Sequence, residues 1–158
     1  MGRVVRPVLS CGLPLMAAVF MMACSSSGVG DPCTPEQVPE GGFKPGESYL
    51  ETSSVQCRTR VCMVRDFEGD PTKVYYPDDP NDPRHTCEAG DEGCNRADLV
   101  EQAVFCTCRC DAPAGSNTPT CECPSGFTCE EVLQGGGIGI QGGYCVRSDT
   151  VAPTADGG

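Results

Sequence analysis

The clearest pattern along the chain is a switch to alternation at Val104. From there Val104, Cys106, Cys108 and Cys110 fall on one side of an extended strand, with Phe105, Thr107 and Arg109 on the other. Gln56 to Asp66 (QCRTRVCMVRD), with flanking Val55, predicts an earlier strand built on Val61, Met63 and Val64, and Lys73 to Tyr76 (KVYY) a short second one. Within the first strand Cys57 and Cys62 lie an odd number of residues apart, so they face opposite sides and seek different partners. Asn95 to Ala103 (NRADLVEQA) predicts one short helix capped by Asn95 or Asp98. Between these stretches the chain is punctuated by turn residues. Asp31 to Gly46 (DPCTPEQVPEGGFKPG) and Pro77 to His85 (PDDPNDPRH) are rich in Pro, Gly and Asp, and Cys87 to Cys94 (CEAGDEGC) reads as a small closed loop. The pattern predicts a small disulfide-rich fold of short β-strands, hairpins and irregular loops with little helix.

The most apolar run, Leu13 to Ala23 (LPLMAAVFMMA), belongs to none of these elements. It follows the positive charges of Arg3 and Arg6 and is shorter than the ~18 apolar residues that a membrane-spanning helix needs, with Gly12 and Pro14 interrupting its start. Residues 1–23 therefore read as an export signal. A myristoylation reading of Met1-Gly2 fails because Arg6 stands where Ser or Thr is required. The junction Met21-Met22-Ala23-Cys24 resembles the lipobox of bacterial lipoproteins, with Met21 where that family usually has Leu. The resemblance implies cleavage between Ala23 and Cys24 and lipidation of Cys24, by a diacylglyceryl thioether and a palmitate-type acyl chain. Ser25, in place of Asp after the cysteine, implies sorting to the outer membrane. The alternative is an ordinary secreted protein cut nearby. Residues 24–32 then read as a flexible tether, 33–147 as one domain, and 148–158 as a disordered tail.

The export reading changes the cysteine arithmetic. Of 14 cysteines, Cys11 leaves with the signal and Cys24 takes the lipid, leaving Cys33, Cys57, Cys62, Cys87, Cys94, Cys106, Cys108, Cys110, Cys121, Cys123, Cys129 and Cys145. An even number in an exported chain points to disulfides formed in an oxidising compartment. Five of the twelve precede residue 100 and seven follow it, so at least one bridge crosses that point if all are paired. Loss of Arg3 and Arg6 leaves 9 basic against 22 acidic residues, a formal charge of −13 that disfavours nucleic acid or bare anionic lipid as the partner and favours at most cations or a basic partner. With no Trp and few other aromatics the chain cannot be held by apolar burial alone, and disulfides at about 2–4 kcal/mol each decide its stability.

Six of the cysteines crowd into Phe105 to Cys129. Cysteines on one strand face are spaced about 6.6–6.8 Å apart with parallel Cβ directions, which is poor geometry for bonding one another. If Asp111 to Thr120 (DAPAGSNTPT) forms the loop of a hairpin, Cys110 pairs with Cys121 and Cys108 with Cys123. Cys129 and Cys145 then close the glycine-rich segment between them, Cys87 pairs with Cys94, and Cys106 is left to reach the upstream half. Cys121 to Cys129 (CECPSGFTC) resembles the end of an epidermal-growth-factor-like module, which implies a turn at Gly126 and a small core at Phe127. The lipobox, Ser-rich tether, CxCxC, CxCPxGFxC and terminal GGYC together resemble cysteine-rich lipoproteins of myxobacterial-type Gram-negative bacteria. That likeness implies a location and no activity.

Clustered thiols also suit metals, and CxCxC and CxC resemble metallothionein spacing, but no CxxC occurs and an exported thiol meets oxidants first. Asp78, Asp79 and Asp82 offer oxygen ligands for calcium, without the spacing of a regular calcium loop. The lone histidine, His85, reads as exposed. No GxSxG, HExxH or phosphate loop occurs, and Glu130-Glu131 reads as the acidic first turn of a short helix rather than an acid–base pair. The expectation is an exported, lipid-anchored, non-enzymatic protein of structural or extracellular interaction type, without a cofactor. It meets the membrane through its anchor, a possible protein partner being left unidentified and nucleic acid excluded; the alternative is an exported metal-binding or thiol-redox protein.

Overall fold

The computed structural model describes residues 28–134 and 136–148. The signal segment, Cys11, Ala23, Cys24 and the tail beyond Ser148 lie outside the described residues. The fold is small and disulfide-rich, with short sheets and a single short helix among the described residues. In chain order the elements are β1 (Ser48–Glu51), β2 (Val61–Arg65), β3 (Val74–Tyr75), β4 (Asn95–Arg96), α1 (Ala97–Ala103), β5 (Val104–Thr107), β6 (Arg109–Asp111), β7 (Phe127–Leu133) and β8 (Gly142–Arg147). They form an antiparallel sheet β1-β2-β5, a parallel pair β3-β4, and a second antiparallel sheet β6-β8-β7.

The alternating stretch from Val104 supplies both larger sheets. Its first half, β5, pairs with β2, and its second half, β6, pairs with β8. At the crossing, the Cys145 N–H donates to the Cys108 carbonyl at 3.1 Å and the Thr107 hydroxyl donates to the Cys145 carbonyl at 2.6 Å. Alternation then sorts the side chains into two cores. Cys62 and Val64 of β2 join Val104 and Cys106 of β5 in one, with Cys33, Phe43, Cys57, Phe67 and Val100. Met63 and Phe105, pointing the other way, meet Tyr144 and Val146 of β8 in the second. The first sheet is therefore buried on both faces, and neither alternate set of β5 is the solvent side.

Local departures from the predicted elements have identifiable causes. The strand expected over Gln56 to Asp66 starts only at Val61, because Cys57 to Arg60 forms a turn closed by the Arg60 N–H on the Cys57 carbonyl (2.9 Å), with Arg60 at φ 65°. The helix starts at Ala97 with no side-chain cap. Of the two expected caps, Asp98 lies inside the first turn, and Asn95 pairs in β4, where its side-chain amide donates to the carbonyls of Asp70 (3.0 Å) and Gly93 (3.1 Å). Glu130 and Glu131 lie in strand β7, not in a helical turn. Residues 28–32 are not a free tether: the Gly30 N–H donates to the Cys106 carbonyl, the Cys106 N–H donates to the Asp31 carbonyl (both 2.8 Å), and Pro32 bridges Phe105. Having no N–H to contribute, Pro32 suits that outer position. Gly30 sits at φ +91°, and a Cβ there would lie 2.9 Å from the Phe127 ring, so both backbone and space call for glycine.

Candidate functional site

All twelve expected cysteines are bonded, as Cys33–Cys62, Cys57–Cys106, Cys87–Cys94, Cys108–Cys121, Cys110–Cys129 and Cys123–Cys145. Cys87–Cys94 is the one of the four pairings proposed from sequence that the structure contains. Cys57–Cys106 crosses residue 100, as the count requires. Cys57 and Cys62 take different partners even though Cys57 lies in a turn and shares a core with Cys62.

The other three expected pairings are corrected. Cys110 does not pair with Cys121, nor Cys108 with Cys123, because β8 occupies the place expected for the hairpin's return strand: Arg109 is opposite Tyr144, and Asp111 opposite Gly143. Residues 121–126 return outside the ladder, with the Cys121 N–H on the Arg109 carbonyl at 2.9 Å, which brings Cys121 to Cys108. A register shift between Arg109 and Asp111 sets Cys110 apart from the regular alternation, and it bonds Cys129. Cys129 and Cys145 stand directly opposite each other on β7 and β8 yet are not joined; Cys145 bonds Cys123 instead.

The last three bridges pack around Cys145. Its sulfur lies 3.8 Å from those of Cys108 and of Cys121. Disulfide sulfurs carry no proton, so these are packing contacts and not hydrogen bonds. Three cysteine triads bring their sulfurs within 4.8 Å of one another: Cys33, Cys57 and Cys62; Cys108, Cys121 and Cys145; and Cys110, Cys123 and Cys145. Each triad contains one bonded pair, so its compactness follows from the bridge, and a metal would require thiolates that the bonded state does not offer.

Asp78, Asp79 and Asp82 are not gathered into a ligand cluster among the described residues. The Asp82 carboxylate accepts from the Arg84 Nε and Nη2 (2.9 and 2.6 Å), and this pairing pulls its pKa down to about 2. Asp79 accepts from the Asn81 N–H, and the three carboxylates do not converge among the described residues. His85 is half-buried, not exposed. Its Nδ1 accepts from the Tyr76 N–H (3.4 Å), which assigns the proton to Nε2, where it donates to the Asp79 carbonyl at 2.8 Å. The ring holds the loop closed.

Two exposed features offer surfaces for contact. One is a groove of about 1100 Å³, with Phe43, Phe67, Leu99 and Phe127 among its apolar walls and Arg65 and Arg147 among its cations. Sequence reasoning missed it because its walls come from five separated segments. Phe127 follows a turn at Gly126 (φ +84°) and packs edge-on against Phe105 at 5.7 Å between ring centres. The other is the glycine-rich loop before β8, where Ile138 is 52% exposed. Arg109, itself only 5% exposed, holds this loop by donating from Nη1 to the carbonyls of Ile138, Gly139 and Gln141, and from Nη2 to the Ser116 hydroxyl of the neighbouring loop, all at 3.1–3.2 Å. Burial of Tyr144 beneath the loop raises its pKa, and its hydroxyl donates to the Ile140 carbonyl at 2.7 Å.

No known family model, curated protein or solved structure matches this chain.

Proposed function

We propose that this is an exported protein, anchored in the outer membrane through a lipidated Cys24, whose cysteine-rich domain serves a structural or extracellular interaction role. The observation that carries the reading is the complete pairing of the twelve cysteines Cys33 to Cys145 in six bridges. A domain with so little apolar core gains its rigidity from bonds that form and persist in an oxidising compartment. The signal-like segment and Cys24 in the sequence supply the route and the anchor. Disulfide-held loops and a groove provide contact surface.

Alkylation of the non-reduced mature protein, followed by mass measurement, tests the domain. No added label is expected; several labels would favour the metal-binding or thiol-redox alternative. Replacing Cys24 by Ser tests the anchor, with loss of lipid and of membrane association expected. A Cys24→Ser protein that is still processed and still held in the membrane would overturn the lipoprotein reading.

A further inference from the structure

The domain has two ends, defined by β8. At the Arg147 end the Arg147 guanidinium donates to the Gly30 carbonyl and the Ser148 N–H donates to the Gly126 carbonyl, so both edges of the described chain meet there. At the Gly142 end lies the glycine-rich loop held by Arg109. Five strand steps separate the two, roughly 17 Å.

The segment against which the chain enters is also where its charge is unusual. No Asp or Glu occurs between Glu51 and Asp66, a stretch carrying Arg58, Arg60 and Arg65, in a chain whose acidic residues outnumber its basic ones two to one; Arg65 pairs with Glu130 and Asp66, which leaves Arg58 and Arg60. A Cβ on Gly28 would lie 3.3 Å from the Arg58 Cβ, so the entering chain runs against this segment, with Asp31 beside it. Arg58 and Arg60 are exposed and, among the described residues, pair with no carboxylate; Arg60 donates to the Ser53 carbonyl, which leaves its charge uncompensated. Between Ser53 and Arg58 the chain presents Val55 at 72% exposure.

We propose that the face formed by Gly28, Val55, Arg58 and Arg60 rests against an anionic phospholipid headgroup surface, and that the loops at the Gly142 end of β8 project away from it. The inference rests on the lipid-anchor reading. Only residues 25–27 separate Cys24 from Gly28, a connection that spans at most about 14 Å when fully extended. An anchor that short holds this end within reach of the headgroups. Its two arginines are attracted to lipid phosphates, while the strongly acidic remainder of the domain is repelled, so the charge asymmetry selects one orientation.

The test uses the purified full-length chain, processed in cells and reconstituted into phosphatidylglycerol–phosphatidylethanolamine vesicles. A photoreactive residue replaces Val55 in one preparation and Ile138 in another. Mass analysis reports lipid on Cys24, all six disulfides, and light-induced phospholipid adducts. Several-fold more adducts at position 55 than at 138 are expected, falling in high salt and in the Arg58→Glu/Arg60→Glu variant while Cys24 stays lipidated. A lipidated, fully bridged protein with equal adducts at both positions, or more at 138, overturns the proposed face and leaves the anchor standing. A Cys24 without lipid overturns the anchor, and the proposal with it.

Discussion

Substituting Gly143 by Ala tests the assignment of the least expected bridge. Gly143 lies in β8, the central strand of its sheet, and Cys110–Cys129 joins the flanking strands across it with a Cα separation of 5.8 Å. A Cβ at Gly143 would sit 2.9 Å from the Cys129 sulfur, 3.1 Å from the Asp111 Cβ and 3.3 Å from the Glu130 carbonyl oxygen. Ordinary contacts between such atoms lie near ~3.5–4.0 Å. A bonded sulfur cannot rotate away, so either the strands move, costing about 1–3 kcal/mol, or the bridge fails to close. With 19 residues of separation, that failure forfeits about 3 kcal/mol of chain-entropy stabilisation. Denaturant unfolding without reductant measures the loss, and alkylation mass tells the two routes apart, since an open bridge adds two labels. Gly139→Ala is the control: its Cβ meets nothing within 4 Å, so it is expected to be neutral or stabilising by about 0.4–1 kcal/mol. In a Cys110→Ser/Cys129→Ser background Gly143→Ala should cost less, because the sulfur obstacle is gone. Wild-type stability of Gly143→Ala with all six bridges intact would refute the reasoning.

Three further outcomes are expected. Removing Cys57–Cys106 as a Ser pair should destabilise by about 4 kcal/mol against about 2.5 for Cys87–Cys94, from sequence separations of 49 and 7, as read by urea unfolding; the reverse order would count against the chain-entropy account. Arg109→Met removes the donors for three carbonyls and the Ser116 hydroxyl, and should cost about 1.5–3 kcal/mol and speed amide exchange in residues 136–141; an unchanged exchange rate there would contradict the anchoring role. Asp82 should titrate at about 2 in carboxyl NMR and return toward 3.8 in Arg84→Ala. Since its folded pKa is depressed, the pair's contribution to loop closure is present above about pH 4 and is lost as pH falls through about 2.

The amino-acid sequence by itself determined the kind of fold. Turn residues fall too close together for long elements, the aromatic content is too small for a large core, and twelve cysteines make up the difference. Simple parity required a bridge across residue 100, and alternation marked Val104 to Cys110 as extended chain, because both depend only on counting and on the two-residue period of a strand. Which cysteine meets which was decided by tertiary structure. The spacing argument set Cys121 and Cys123 against their nearest extended neighbour. In the folded chain that place goes to Gly142–Arg147, whose Tyr144 and Val146 are almost fully buried beside Phe105 and Met63. A distant segment that buries apolar side chains displaces a nearby one that does not, and local spacing carries no record of that competition. For the same reason the groove stayed hidden, its walls being assembled from segments that only the completed fold brings together. The shift in register at Cys110 and the bare backbone at Gly143 then let one disulfide pass over the central strand, a route visible only once all three strands are in place.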